Sequence, residues 1–224
     1  MDEVRLIEVK EDIMSDNTAK ASELRERLKN EKTFLLNMMS SPGAGKTSLI
    51  LKTAEAIANR IHIGVMEADI DSKVDAEKIA AHGIEAVQLR TGGFCHLDAN
   101  MVSKGLEAMN TSVLDLVIIE NVGNLVCPAE FDTGSTKNVM LLSVPEGDDK
   151  PLKYPLMFTI SDALVIHKTD YLALSDFNAE LAKERALSLN SQIQTFEISS
   201  KTGEGVAEFA DWLVDEVISY QSGL

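Results

Sequence analysis

Residues 40–47 read Ser-Ser-Pro-Gly-Ala-Gly-Lys-Thr, between the apolar run 34–39 and a helical pattern that begins at Ser48. A strand, a glycine-rich turn ending in Lys-Thr and a helix, in this order, predict a phosphate-binding loop, or P-loop. Glycines let the backbone N–H groups point inward, and the helix adds its positive end at the same place. Ser40 departs from the pattern, since it stands where the first glycine is expected. The alternative is an ordinary glycine-rich turn, but both flanking elements favour binding of a nucleoside triphosphate.

The chemistry of such a loop assigns a role to each of its end residues. Lys46 reaches the β- and γ-phosphates, and the hydroxyl of Thr47 ligates magnesium, Mg²⁺. We expect water to attack the γ-phosphate in line, with Lys46, Mg²⁺ and backbone N–H groups stabilising the developing charge. Since no residue stands out as a water-positioning base, we expect slow hydrolysis. The predicted nucleotide-binding residues here are Pro42, Gly43, Ala44, Gly45, Lys46, Thr47 and Ser48.

Composition limits the possible partners and the compartment. The 224 residues suit one domain, or one domain with small additions, and 45% of them are hydrophobic. Asp and Glu number 36 against 21 Lys and Arg, so the formal charge of −15 disfavours nucleic acid and anionic membranes as partners. The charged N-terminus lacks the apolar core of a signal peptide, and no apolar run is long enough to span a bilayer. We therefore expect a cytoplasmic protein with reduced thiols.

Apolar runs alternate with helical patterns along most of the chain. The predicted strands are 34–39, 61–66, 87–89, 116–119, 139–142, 163–166 and 194–198, and the predicted helices outside the P-loop are 16–32, 76–82, 99–109, 154–160, 176–189 and 205–220. Near-continuous apolar strands between helices predict an α/β fold, with a largely parallel sheet covered by helices on both faces. We divide the chain into an N-terminal helical extension, residues 1–33, and a P-loop domain, residues 34–224, which the base-binding elements described next predict to be a GTPase domain.

The last two strands lead into elements that predict guanine recognition. His167-Lys168-Thr169-Asp170 and Ser199-Ser200-Lys201 resemble the Asn-Lys-x-Asp and Ser-Ala-Lys elements of GTP-binding proteins. The Asp170 carboxylate can accept two hydrogen bonds from guanine, whereas adenine has no matching donor pair. His167 replaces the usual Asn, so we expect GTP specificity with weakened affinity, a ring nitrogen donating to purine N7 and an altered tie to the P-loop. The alternative is an incidental surface Lys and Asp at a strand end. The predicted base-binding residues are His167, Lys168, Asp170, Ser200 and Lys201.

Acidic residues at two other strand ends predict the magnesium site. Glu120 ends a buried strand, and the Gly123 N–H three residues later can sense a γ-phosphate. We group Lys46, Thr47, Glu120 and Gly123 as the predicted catalytic residues. Asp69, Asp71 and Asp75 lie just beyond the strand that ends at Glu67, and we prefer Asp69 or Asp75 as a ligand of Mg²⁺ beside Thr47 and Glu120. In so acidic a chain, each of these Asp residues is as compatible with an ordinary acidic loop.

Two cysteines and a histidine form a second candidate metal site. Cys95-His96 and Cys127 follow different strands on the ligand side of the predicted sheet. Thiolates with an imidazole suit Zn²⁺ or Ni²⁺ rather than Mg²⁺. Buried structural cysteines are the alternative, although neither cysteine lies in an apolar core run. Three ligands do not close a tetrahedral site, so a fourth comes from water or a second chain, as in a two-fold dimer. Because Cys127 is four residues past Gly123, we expect GTP state and metal affinity to be coupled.

Several of these motifs together resemble the HypB family, the nickel-inserting GTPases of hydrogenase maturation. The resemblance covers most of residues 34–205, and its most specific part is Glu-Asn-Val-Gly-Asn-Leu-Val-Cys-Pro-Ala at 120–129. The other matching segments are the P-loop, Gly-Gly-Phe-Cys-His-Leu-Asp-Ala at 92–99 and Glu-Gly-Asp-Asp-Lys-Pro-Leu-Lys-Tyr-Pro at 146–155. Residues 1–33 contain neither the Cys-rich nickel motif nor the His-rich store that some members carry.

The resemblance implies a SIMIBI-type P-loop GTPase that dimerises with nucleotide and holds nickel or zinc at the interface through Cys95, His96 and Cys127. It implies delivery of nickel to the hydrogenase large subunit together with a HypA-type chaperone. The nearest alternative is the urease-type UreG family, which carries Cys-Pro-His where this chain has Cys127-Pro128-Ala129. A P-loop kinase or partition-type ATPase, and a metal-storage module that uses nucleotide only for structure, are further alternatives.

Overall fold

A computed structural model describes residues 5–8, 17–69 and 74–223 of the chain. Its strands within those residues are β1 (Arg5–Glu8), β2 (Phe34–Ser40), β3 (Ile63–Asp69), β4 (Glu85–Arg90), β5 (Leu116–Glu120), β6 (Lys137–Ser143), β7 (Ala163–His167) and β8 (Gln194–Ile198). These eight described strands form one sheet in the order β1-β4-β3-β5-β2-β6-β7-β8, and all their pairings are parallel. The predicted parallel α/β fold is confirmed.

Helices connect most of the strands. In the described residues they are α1 (Asn17–Glu31), α2 (Lys46–Ile57), α3 (Val74–Ala80), α4 (Ala99–Glu107), α5 (Cys127–Glu130), α6 (Lys150–Lys153), α7 (Pro155–Thr159), α8 (Ala179–Leu189) and α9 (Val206–Ser222). The sequence predicted all of these except the four-residue helices α5 and α6, which are too short to show a helical period. No helix in the described part of the chain combines the length and apolar character needed to cross a membrane.

The central strand β2 shows how the two faces of the sheet are covered. All seven of its residues are buried, and successive side chains point to opposite faces. Phe34, Leu36 and Met38 belong to a core shared with α2 and α9. Leu35 packs in a second core with α1 and α4, and Met39 in a third with α7 and α8. A strand buried on both faces favours apolar residues on both sides, which is why residues 34–39 of β2 are apolar except for Asn37, whose amide is hydrogen-bonded to Asn138 and Asn121.

Parallel pairing brings the carboxyl ends of the central strands to one edge of the sheet. Glu120, the last residue of β5, lies opposite Met38 on one side and Glu67 on the other. The P-loop leaves β2 at the same edge. Ligands of open parallel sheets bind at this edge, so the strand order places the predicted phosphate and metal residues around one crevice.

The N-terminal part of the chain packs on this sheet. The predicted helix is present as α1, whereas Arg5–Glu8 is an edge strand paired with β4. Residues 1–4 and 9–16 of the predicted extension lie outside the described residues. The proposed division of the chain at residue 33 stays a prediction.

Candidate functional site

The P-loop has the backbone shape that its glycines predict. Gly43 and Gly45 have φ values of 75° and 108°, in a region of backbone conformation that residues with a side chain rarely adopt. Gly45 also faces His167 so closely that a Cβ would lie 2.5 Å from the imidazole. The ammonium of Lys46 donates to the Ser40 hydroxyl at 3.0 Å. Ser40, which departs from the usual glycine, therefore holds the Lys46 ammonium in place.

A cavity of about 360 Å³ lies between the P-loop and the ends of β3 and β5. Inside it, the Thr47 hydroxyl donates to Glu120 Oε1 at 2.7 Å. The other carboxylate oxygen of Glu120 is buried without a hydrogen-bond partner, and so is Oε2 of Glu67. Two buried oxygens without donors, beside a threonine hydroxyl, are suitable ligands for a hard divalent cation such as Mg²⁺. The lining residues are Pro42, Gly43, Gly45, Lys46, Thr47, Glu67, Ala68, Asp69, Asp75, Glu120, Asn121, Val122 and Gly123.

The carboxyl groups of this cavity have altered acidities. Burial raises the pKa of Glu67 to about 8, and the nearby Glu120 carboxylate acts in the same direction. Burial also raises the pKa of Glu120, against the attraction of the Lys46 ammonium. Burial lowers the pKa of Lys46, against the attraction of both carboxylates. Burial thus disfavours the charged forms of all three groups. A bound cation would stabilise the ionised carboxylates, and bound phosphates would stabilise the Lys46 ammonium.

The predicted acidic residues of the magnesium site reach this cavity from two elements. Asp69 is the last residue of β3, a correction to its predicted position beyond that strand. Asp75 lies in the first turn of α3, where its carboxylate accepts from Lys78 at 2.8 Å. Both line the cavity with Thr47 and Glu120. Asp71 lies outside the described residues.

His167 connects the P-loop to the loop after β8. Its Nδ1 lies 2.8 Å from the Ala44 carbonyl, and its Nε2 lies 2.8 Å from the Ser200 hydroxyl. Since a carbonyl only accepts, we assign the proton to Nδ1, and Nε2 then accepts from Ser200. Burial lowers the pKa of His167, which favours this neutral form. With both ring nitrogens engaged, the expected bond to purine N7 does not fit this arrangement, while a tie to the P-loop is kept.

Lys168 and Asp170 lie beside this connection. The backbone of Lys168 is left-handed, with φ of 62°, and its ammonium donates to the Gly43 carbonyl at 2.6 Å. The Ser199 hydroxyl donates to Asp170 Oδ1 at 2.7 Å, and this bond is the main cause that lowers the pKa of Asp170. Lys201 lies 3.7 Å from the same carboxylate. An ionised carboxylate oriented by Ser199 is the acceptor that guanine recognition requires.

The two cysteines and the histidine lie close together although they belong to different loops. The sulfur atoms of Cys95 and Cys127 are 2.7 Å apart, and one ligand atom from each of Cys95, His96 and Cys127 lies within 4.8 Å of the others. The His96 ring stacks on Phe131, with centroids 3.6 Å apart. The hydrogen bond with Cys95 raises the pKa of the Cys127 thiol. Two soft sulfur donors and an imidazole at these distances can close on one transition-metal ion.

One segment joins the two candidate sites. Gly123 packs against Pro42 of the P-loop, where an added Cβ would lie 2.9 Å from the proline Cα and nitrogen. Four residues later, Cys127 starts α5, and the Asn124 side chain accepts from its N–H at 3.3 Å. A short, hydrogen-bonded turn thus separates the contact with the P-loop from a cysteine of the second cluster.

Three residues of the candidate nucleotide site were not predicted from the sequence. Glu67 and Ser199 act as described above, and Glu146 accepts a hydrogen bond from the hydroxyl of Ser41 in the P-loop. A signal existed for Glu67, since it is a carboxylate inside an apolar strand. Ser199 and Glu146 follow strand ends, but many polar residues do so in this chain. Of the predicted residues, Ser48 is exposed on α2 and does not line the cavity.

Comparison with known proteins gives a consistent result. The family described as CobW/HypB/UreG, nucleotide-binding domain, matches residues 34–197. The hydrogenase maturation factor HypB of Rhizobium leguminosarum bv. viciae is 45% identical over 213 residues, which are 95% of this chain and 71% of that protein.

Two solved structures are similar throughout. The crystal structure of HypB from Helicobacter pylori in complex with nickel has a TM-score of 0.87 and 38% identity, and the alignment covers 92% of this chain and 96% of that one. HypB from Archaeoglobus fulgidus has a TM-score of 0.84 and 39% identity, with 90% and 98% covered.

Proposed function

The chain belongs to the HypB family of hydrogenase maturation GTPases, and we propose that it binds nickel or zinc at a nucleotide-dependent dimer interface through Cys95, His96 and Cys127. Membership confirms the predicted family and the predicted enzyme class, a P-loop GTPase that converts GTP and water to GDP and phosphate. The UreG, kinase and storage alternatives are correspondingly disfavoured.

We assign the nucleotide steps to residues around the P-loop. Lys46 binds the β- and γ-phosphates, and the Ser40 hydroxyl 3.0 Å away supports its position. Asp170 recognises the guanine edge, with Lys168 and Lys201 beside it. Thr47, Glu120, Asp69 and Asp75 would hold Mg²⁺, with Glu67 as an added candidate. When bound, Mg²⁺ neutralises charge that develops on the phosphate oxygens. The Gly123 N–H senses the γ-phosphate. We expect slow hydrolysis, because no residue in the described part of the crevice stands out as a water-positioning base.

The metal that binds the cysteine cluster is cargo. Cys95, His96 and Cys127 supply three donors, so a fourth ligand comes from water or from a second copy of the chain. Two copies related by a two-fold axis would bring two such sets together. We propose that a HypA-type chaperone works with this protein and that nickel is delivered to the hydrogenase large subunit.

One observation carries the proposed coupling: the segment that packs against the P-loop at Gly123 also carries Cys127. A γ-phosphate that tightens the loop around Gly123 displaces a metal ligand four residues away. By linkage, metal must then change nucleotide affinity by the same factor. Because metal affinity then differs between the GTP-bound and GDP-bound states, hydrolysis of GTP changes how tightly the metal is held.

The proposal is tested by size-exclusion chromatography with light scattering on apo protein, nickel-loaded protein and protein with a non-hydrolysable GTP analogue, with metal counted in each peak. We expect a dimer with the analogue and about one metal ion per cysteine cluster or per shared pair. Equal nickel affinity of GDP-loaded and analogue-loaded protein, measured by nickel titration of the two forms, would contradict the coupling.

A further inference from the structure

We infer that helix α1 positions the cysteine cluster, by holding together the two loops that carry it. The inference rests on the proposed metal role of Cys95, His96 and Cys127 and adds to it a structural element outside the matched family region, which begins at residue 34. The first loop, residues 91–98, carries Cys95 and His96. The second loop, residues 121–136, carries Cys127 and Phe131.

Asn17, the first residue of α1, bonds to both loops at once. Its Oδ1 accepts from the N–H of Ala99 at 2.9 Å, and its Nδ2 donates to the carbonyl of Asp132 at 3.0 Å. Ala99 is the first residue of α4, directly after the first loop, and its N–H has no partner within its own helix. Asp132 follows Phe131, on which His96 stacks. A single amide thus fixes the separation of the two chain segments that must close on one ion.

Arg25, two turns along α1, holds the second loop from the same side. Its guanidinium makes a two-pronged contact with the Asp132 carboxylate, at 3.0 and 2.6 Å, and Nε donates to the Ser135 carbonyl at 3.0 Å. The Asp132 carboxylate also accepts from the Gly134 N–H at 2.9 Å. This planar, bidentate geometry orients the loop more strictly than a single ammonium contact would.

Apolar packing completes the contact between α1 and both loops. Leu24 of α1 is buried, and it lies so close to Gly134 that a Cβ there would come within 2.8 Å of it. Leu24 and Leu28 share a core with Leu97 of the first loop and Val122 of the second. The polar bonds of Asn17 and Arg25 therefore act on loops that are already packed on the helix, and they set the relative position of the loops.

The experiment measures metal affinity and nucleotide affinity separately in Asn17→Ala and Arg25→Met. Arg27→Met is the matched control, because Arg27 lies on the same helix but, among the residues that the structure describes, pairs only with Glu31, at 2.8 Å. Arg25 is half-exposed, and methionine keeps its apolar stem, so this variant should fold. We expect Ni²⁺ affinity, by competition with a chelating indicator, to fall about tenfold in both test variants, the lower end of the effect of outer-shell changes. GDP affinity should be unchanged, and the control should match wild type.

A second readout needs no metal. In apo protein treated with diamide, which takes up the two hydrogen atoms as Cys95 and Cys127 form a disulfide, the test variants should react several-fold more slowly than wild type. Wild-type rates and wild-type nickel affinity in both variants would overturn the inference, and so would equal losses of nickel and GDP affinity, which indicate general destabilisation. If wild type and Cys127→Ala bind nickel equally, the proposed metal role fails instead, while the diamide result still decides the role of α1.

Discussion

Glu67 and Glu120 lie directly opposite each other on the neighbouring strands β3 and β5. Both are buried, and each has a carboxylate oxygen without a hydrogen-bond partner. Like charges opposite each other in a sheet are destabilising, and burial adds to the penalty. The pair has the composition of a cation site. Without a bound cation, protonation of Glu67 reduces the repulsion between the two carboxyl groups.

Glu67→Gln should change the pH dependence of stability. In the folded protein the pKa of Glu67 is raised from 4.5 to about 8, so the native state keeps a proton that the unfolded chain loses. Wild-type stability should therefore fall as pH rises from about 4.5 to 8, with a contribution of up to about 1.4 kcal/mol per pH unit. Glu67→Gln lacks this contribution. Urea unfolding of the nucleotide-free proteins across that range checks it, and parallel curves for the two proteins would contradict the assignment.

His167→Asn should remove a pH dependence of stability that has the opposite direction. Burial lowers the pKa of His167 below 6.5. Just below pH 6.5 the imidazole is therefore protonated in the unfolded chain but still neutral in the folded protein. Wild-type stability should fall as pH drops below about 6.5, and the variant should lose this component. Thermal unfolding between pH 5 and 7.5 measures the difference. His82→Asn, at an exposed position, is the control for the substitution itself.

Lys46→Ala should abolish phosphate release. The variant lacks the ammonium that stabilises the transferred phosphoryl group, so turnover should fall by a factor of about 10² or more. Release of phosphate from GTP, followed in single-turnover assays, gives the rate. Lys52→Ala, on the exposed side of the same helix, should keep wild-type activity.

Equal competition by ATP in the wild-type assay would contradict the proposed recognition of guanine by Asp170.

Gly123→Ala should uncouple the two sites. The added methyl group would lie 2.9 Å from Pro42, so the P-loop and the 121–127 segment must separate. Such overpacking costs about 1–3 kcal/mol. We expect weaker binding of a GTP analogue and a nickel affinity that no longer depends on nucleotide, by titration of both ligands. Val126→Ala changes an exposed residue of the same segment and should retain the dependence. Retained coupling in Gly123→Ala would place the link elsewhere.

Cys127→Ala should lose metal without losing nucleotide. Its sulfur lies 2.7 Å from that of Cys95, and removing one of three donors leaves too few ligands for a stable soft-metal site. Metal analysis after gel filtration, together with GDP titration, separates the two effects. Ser188→Ala, on the surface of α8, serves as a control for handling of the protein. Stoichiometric nickel in Cys127→Ala would refute the ligand assignment.

The fold and the phosphate site were largely predictable from the sequence because their signals are local. Strand, glycine turn, lysine and helix are consecutive in the chain, so residues 34–51 carry the whole pattern. The strands β2 to β8 were recognisable from apolar runs, whereas the four residues of β1 are too short a segment to show one. Glu67 was overlooked because a single carboxylate in an apolar run gains its meaning only from the strand placed beside it.

The sequence by itself determined which groups this protein possesses: a glycine-rich P-loop, a His-Lys-Thr-Asp element after a late strand, and thiols with an imidazole on the ligand side of a parallel sheet. Only the tertiary structure decided which of them act together. Cys95 and Cys127 are 32 residues apart in the chain and meet through the packing of two loops on α1. His167 serves the P-loop because β7 ends beside it. The physical reason is that secondary-structure propensity and hydrophobic pattern depend on residues close together in the chain. The relative positions of the side chains in a site depend instead on contacts between segments that are distant in sequence.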